Sequence, residues 1–155
     1  MRICLRSFFV VLLLASVAVW AADSQAGTWK LNPAKSKGTA DHPVAKSLTV
    51  TITDQEGGIV LDAVGEDGKG GPIKVHYSAK FDGKDYPVTG AADYDTVSLK
   101  RIDADTMEST NKKNGQVVTT IRSVVSKDGK TRTSTWSGKD SKGTSENWIS
   151  VFDKQ

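Results

Sequence analysis

Few residues of this 155-residue chain could do chemistry by themselves, and the most conspicuous of them is an arginine in the middle of a predicted strand. Arg122 lies within the stretch VVTTIRSVV, where an extended backbone puts it on one face with Val118 and Val124. Its planar guanidinium could hold a carboxylate through two hydrogen bonds, which strengthen where water is excluded. Arg122 is therefore a candidate for binding an anionic head group. The alternative is an outward arginine whose stem covers apolar surface.

The other reactive side chains do not form a catalytic pattern. The two histidines, His42 and His76, have no partner at a metal-binding spacing, although a metal site built from Asp41, His42 and a distant carboxylate is conceivable. No Gly-x-Ser-x-Gly elbow is present to carry a serine nucleophile. The acidic pairs near strand ends are typical of turns, with weak calcium binding at a rim as the alternative. The sequence predicts no enzyme, no metal site and no cofactor.

The first 22 residues predict export. Arg2 and Arg6 precede an apolar run over residues 8–22 that is short for a membrane span and ends in small residues. We expect a signal peptide over 1–22, cut after Ala21 or Ala22, and a periplasmic or secreted protein. The alternative is an uncleaved anchor. The single cysteine, Cys4, precedes the apolar run, so the mature chain would have no thiol and no disulfide.

The remaining chain, residues 23–155, has the size of one domain. Without Arg2 and Arg6 it carries nineteen basic residues against eighteen acidic ones, and the two signs alternate along the chain. This pattern lacks the basic stripe that follows a phosphate backbone, so nucleic acid is not expected as a partner. No membrane anchor is expected after signal cleavage, and the sequence does not predict an oligomeric state.

Turn motifs containing Asp-Gly or Asn-Gly recur between β-rich stretches and predict an antiparallel meander. We predict ten strands, near residues 26–31, 47–54, 58–64, 72–81, 84–89, 94–102, 106–112, 115–126, 131–138 and 145–153. Ten twisted strands would leave open edges unless they close, which favours a barrel over the alternative, a two-sheet sandwich. The chain is poor in aromatic residues and rich in Thr and Ser, which favours a polar, incompletely filled interior.

Three motifs support a family resemblance: GTWKL at 27–31, TTIR at 119–122 and ISVFDKQ at 149–155. With the ten-strand meander, they resemble the fatty-acid-binding and lipocalin-like proteins of the calycin superfamily. Among these, the chain looks most like exported bacterial proteins with a GTWKLNPAKSK opening and a VSKDGK hairpin.

The resemblance implies a barrel cavity for a hydrophobic molecule whose anionic head is held by buried arginines. Arg122 could stand for one such arginine, whereas Ser150 and Phe152 replace the Arg and Tyr of the last strand. The segment over 33–46 is too short for a helix-turn-helix lid.

Alternation identifies further candidates for the cavity wall. Tyr77 and Phe81 follow the inward apolar face of the strand at 72–81, and Phe152 lies on the last strand with Ser150 two residues before it. Trp29 is expected to plug one end of the barrel. The sequence therefore predicts a non-catalytic protein that binds a small hydrophobic or amphipathic ligand through Tyr77, Phe81, Arg122, Ser150 and Phe152. The alternative is an envelope domain that binds another protein or a surface polymer.

Overall fold

The computed structural model describes residues 23–155, so the predicted signal peptide over 1–22 lies outside the described residues. The described chain is all β apart from one short 3-10 helix, η1 (Pro33–Lys35). The strands are β1 (Gly27–Leu31), β2 (Ser47–Gln55), β3 (Gly58–Glu66), β4 (Pro72–Lys80), β5 (Tyr86–Thr89), β6 (Thr96–Arg101), β7 (Thr106–Lys113), β8 (Gln116–Val125), β9 (Thr131–Lys139) and β10 (Ser145–Lys154). No helix within 23–155 has the length and apolarity needed to cross a membrane.

The ten strands close into one antiparallel barrel in which each strand pairs with the next along the chain. Closure is made by β1, which pairs with β2 on one side and with β10 on the other. The two edge strands of the meander, β1 and β10, pair with each other, so none of the ten strands has an open edge. The structure thus confirms the predicted all-β barrel, and the two-sheet sandwich is not the architecture.

Several hairpin turns share one feature, an aspartate whose carboxylate accepts a hydrogen bond from the backbone N–H two residues later. In the three Asp-Gly-Lys turns, the acceptors are Asp67, Asp82 and Asp128, and the N···O distances are 2.8, 3.0 and 3.1 Å. The turn between β7 and β8 uses Asn114-Gly115 instead, with φ of 50° and 76°. Both positive values are those of the tight hairpin turn that Asn-Gly favours.

One end of the barrel is closed by the predicted Trp29 plug. The indole is fully buried, and its Nε1 donates to the backbone oxygen of Gln25 over 2.8 Å. The preceding segment, residues 23–26, folds across this end, where Asp23 pairs with Arg101 and the Arg101 guanidinium lies 4.0 Å from the centre of the Phe81 ring. Trp29 therefore has the place that the sequence predicted for it.

The other end is the mouth, and an extended segment crosses part of it. This segment, residues 36–46 between η1 and β2, is called the strap below. The His42 ring stacks on Trp148 with 3.8 Å between ring centres, and Asp41 accepts hydrogen bonds from both the backbone and the hydroxyl of Ser141. Lys37 in the strap and Ile149 in β10 exchange backbone hydrogen bonds of 2.8 Å. The strap thus takes the place of a helical lid, in keeping with the short segment predicted there.

A candidate ligand cavity with a buried arginine

The barrel encloses a cavity of about 330 Å³ that opens toward the mouth. Its walls differ in character, because inward positions on the two halves of the barrel carry different side chains. Strands β2, β3 and β4 contribute an apolar wall, made of Leu48, Val50, Leu61, Ala63, Ile73 and Val75. Strands β7, β8 and β9 contribute a mostly polar wall, made of Ser109, Asn111, Ser123, Arg132, Ser134 and Trp136, with Met107 and Ile121 as its apolar members. Because serines face the interior of the barrel here, these strands contain few apolar residues and carry Ser or Thr on both faces.

Arg132 lies at the inner end of the polar wall. Its side chain is only 5% exposed, and its backbone pairs with Phe152 of β10 and Val125 of β8. Two neighbours fix the guanidinium: Nε donates to Gln25 Oε1 over 2.9 Å, and Nη2 donates to the Ser123 hydroxyl over 3.0 Å. Because both acceptors are neutral, they orient the arginine without neutralising it.

The positive charge of Arg132 has no carboxylate partner among the described residues. Burial lowers the pKa of its guanidinium to about 10, and the nearby Tyr77 acts in the opposite direction. The group therefore still carries its proton at pH 7. A buried charge without a counter-charge is costly, often by several kcal/mol, and an anion in the cavity would relieve that cost.

Two tyrosines line the same cavity. Tyr77 lines the cavity, and burial raises the pKa of its hydroxyl, so the group is a neutral hydrogen-bond donor at ordinary pH. Tyr94, from the loop between β5 and β6, also lines the cavity. Burial, and to a lesser extent the neighbouring Asp93, raises the pKa of Tyr94 to about 12. Both hydroxyls could donate to an anionic head group without adding negative charge.

The structure brings two of the five sequence-predicted site residues together. Tyr77 and Phe152 both line the cavity, and the Phe152 ring centre lies 5.7 Å from the guanidinium carbon of Arg132. Ser150 also points to the inner side of β10, but it lines the neighbouring hollow under the strap and not the main cavity. Phe81 lies beyond the end of β4, where it packs at the closed end under Arg101.

Arg122 is not part of the cavity, which corrects the prediction made for it. Its side chain is exposed on the outer face of β8, where its backbone neighbours across the sheet are Glu108 and Thr135. The inward residues of β8 are instead Ile121, Ser123 and Val125, all of them buried. The register with β9 requires this orientation, since the same inward rows contain Trp136, Ser134 and Arg132.

The arginine that the cavity does contain, Arg132, was missed by sequence reasoning. One signal could have found it: Arg132, Ser134 and Trp136 share a face of β9, whereas the other face has only Thr131, Thr133 and Thr135 before Ser137. A tryptophan in one of these rows indicates the inward side. By alternation, Arg132 then follows as an inward residue.

Comparison with known proteins adds the following. No protein-family model matches the chain, and no curated protein matches it. Among solved structures, lobster apocrustacyanin A1 resembles the fold with a TM-score of 0.47 and 12% sequence identity, over 86% of this chain and 62% of that one. The chain thus spans less than two thirds of the length of that structure. The likeness is to the barrel as a shape, and the cavity described above rests on this chain's own residues.

Proposed function

We propose that this protein is a non-catalytic carrier that binds a small amphipathic molecule in its barrel, with the molecule's anionic head at Arg132. The observation that carries the proposal is a buried guanidinium that lines a cavity and has no carboxylate partner among residues 23–155. The apolar wall of β2, β3 and β4 would take up the hydrophobic body, where burial contributes about 25 cal/mol per Å² removed from water. The cavity favours this function over an interaction domain with a filled interior.

Export fits the same proposal. The arginines at positions 2 and 6, the apolar run after them and the small residues before Asp23 support a signal peptide. A carrier released into the periplasm or the medium would have access to lipophilic molecules that diffuse poorly through water. The ligand-binding residues of the proposal are Arg132, Tyr77 and Phe152.

Binding of palmitate and of its uncharged analogue hexadecanol to the purified mature protein tests the proposal directly by calorimetry. We expect palmitate to bind about tenfold more tightly or better, because charge-assisted hydrogen bonds contribute roughly 1.5–3 kcal/mol. The Arg132→Met variant should lose this preference while it retains hexadecanol binding. The matched control, Arg122→Leu, removes an exposed arginine from the adjacent strand and should leave both affinities unchanged.

A second variant keeps the arginine and gives it a counter-charge, at the loss of the hydrogen bond from Gln25 Nε2 to the backbone oxygen of Asp105. Gln25→Glu puts a carboxylate where Gln25 Oε1 now accepts from Arg132 Nε over 2.9 Å. We expect weaker palmitate binding with little change for hexadecanol, since the arginine would then be neutralised from within. Equal affinities of the unaltered protein for palmitate and hexadecanol would refute anion recognition by Arg132. So would an undiminished palmitate preference in Arg132→Met.

A further inference from the structure

The polar wall of the cavity continues beyond Arg132 toward the mouth. Trp136 lies four residues farther along β9, a distance of about 13 Å at roughly 3.3 Å per residue. Ser109 shares its row across β8, because Ile121 pairs with both Ser109 and Trp136. Asn111 lies one inward position beyond Ser109 on β7. These three residues therefore form a second polar group, separated from Arg132 by the row of Ser123 and Ser134.

The hydrogen-bonding groups of this second cluster are not used within the protein. The indole Nε1 of Trp136 and the amide Nδ2 of Asn111 are buried and have no hydrogen-bond partner among the described residues. Both side chains line the cavity, and Asn111 is only 2% exposed. A buried donor without a partner loses the hydrogen bonds that it would make to water, so folded proteins rarely retain such groups without a use.

The inner row between the two clusters behaves differently. The hydroxyls of Ser123 and Ser134 lie 2.9 Å apart and hydrogen bond to each other, and Ser123 also accepts from Arg132. Ser123 thus holds the arginine, and Ser134 holds Ser123. On the polar wall of the described barrel, the next donors without a partner are Trp136 Nε1 and Asn111 Nδ2. They lie farther toward the mouth, at a distance from Arg132 that leaves room for several carbon atoms.

On the basis of the proposed function, we propose that the ligand carries a second oxygen in the middle of its hydrophobic body, which accepts hydrogen bonds from Trp136 and Asn111. The ligand class is a carboxylic acid with a keto, ester or hydroxyl oxygen partway along its chain, and not a plain fatty acid. A keto or ester oxygen has two lone pairs and can accept from both donors. The Asn111 amide can turn about its terminal torsion to meet it, and Ser109 can donate or accept beside it.

Three probes of equal chain length test this assignment: palmitate, palmitate with a keto oxygen at the middle of its chain, and the isomer with the keto group beside the terminal methyl. We expect the mid-chain derivative to bind roughly three- to tenfold more tightly than palmitate, the gain typical of well-made neutral hydrogen bonds. The terminal isomer should gain nothing, because its oxygen would lie at or beyond the mouth.

Variants identify the donors. Trp136→Phe keeps an aromatic ring and removes Nε1, whereas Asn111→Leu keeps the size of the side chain and removes its polarity. In each variant, the affinity for the mid-chain derivative should fall toward the affinity for palmitate, so that the ratio of the two approaches one. The matched control is Trp148→Phe, the same change in a tryptophan whose ring centre lies 5.9 Å from that of Trp136 but which does not line the cavity. It should leave the ratio unchanged.

The outcomes separate this inference from the function on which it rests. If the unaltered protein prefers palmitate to hexadecanol but shows no preference for the mid-chain keto group, the second site is refuted and the carrier function stands. A ratio that falls as far in Trp148→Phe as in Trp136→Phe would also refute it, since the effect would then be general to the mouth. If palmitate and hexadecanol bind equally or not at all, both proposals fail.

Discussion

Gln25 connects the plug of the barrel to the cavity. Its backbone oxygen accepts from the Trp29 indole, its side-chain oxygen accepts from Arg132, and its amide nitrogen donates to the backbone oxygen of Asp105 over 2.8 Å. A fully buried glutamine that satisfies its polar groups in this way adds no charge to the interior. The packing of the closed end and the orientation of the proposed anion-binding group are therefore coupled through one residue.

The plug itself can be tested by truncation. Trp29→Ala should destabilise the protein by about 3–5 kcal/mol, because it removes a fully buried indole from the core and leaves a cavity. Urea unfolding measures the change in the free energy of unfolding. Trp29→Phe is the control that keeps most of the ring and loses only the hydrogen bond to Gln25, and it should cost clearly less. A near-zero change in Trp29→Ala would mean that the closed end is held by other contacts.

Strand β8 shows why the site could be predicted only in part from the sequence. On β8, the inward set contains Ile121, Ser123 and Val125, whereas Arg122 shares the outward face with Val124. With Val117, the Ile121 set is the more apolar of the two, but only by one residue, so alternation favours it as the inward face only slightly. The choice is made by barrel closure and by the register with β9, which are properties of the whole sheet and not of the strand.

At the scale of elements, the strands and turns were much easier to predict than the site. All ten predicted strands are present, each with bounds within two residues of the expected ones, because glycine-containing turns separate most of them clearly. Clean alternation also identified the inward face of β4 correctly as far as Tyr77 and Ala79, both buried. The rule failed at Phe81, since β4 ends at Lys80 and the residue beyond it turns to the closed end.

The shared aspartate turns give the stability of the fold a definite dependence on pH. Backbone N–H groups two to four residues after Asp67 donate to its carboxylate and lower its pKa below the ordinary value of 3.8. Backbone or side-chain hydrogen bonds within the turn lower the pKa values of Asp82 and Asp128 in the same way. A carboxyl group whose pKa is lower in the folded state stabilises that state above its unfolded pKa and loses this contribution as the pH falls through its folded pKa. The turns should therefore weaken together in acid.

We expect the urea midpoint to be nearly constant from neutral pH to about pH 5 and to fall as the pH drops below about 4. Replacing a turn aspartate by asparagine, for example Asp67→Asn, keeps a side-chain oxygen that can accept the same bonds but does not titrate. This variant should show a shallower loss of stability in acid than the unaltered protein. A midpoint that does not change between pH 5 and pH 3, or an unaltered slope in Asp67→Asn, would contradict this role of the turns.

At the scale of the whole molecule, pairing around the barrel is uneven. The β9–β10 ladder contains nine residue pairs, whereas β5 is joined to β4 and to β6 by only two pairs each. Pro87 in β5 has no amide hydrogen to donate. At the end of β5, Gly90 approaches the backbone oxygen of Lys74 so closely that a β-carbon would lie 1.7 Å from it. The loop that follows carries Tyr94, which lines the cavity.

This unevenness predicts where the barrel opens. A short strand with few ladder hydrogen bonds separates from its neighbours at a lower free energy than the long hairpins do. Because β5 leads directly into the loop over residues 90–95 that borders the mouth, local opening there would expose the cavity without unfolding of the rest.

Amide hydrogen exchange should accordingly be faster over residues 86–95 than over β9 and β10. A bound palmitate should slow it in that region most, since the ligand would hold Tyr94 against the cavity. The amides of β9 and β10 are the internal control. Exchange over residues 86–95 that is as slow as in β9 and β10 would show that the barrel does not open at β5 and that the ligand enters by another route.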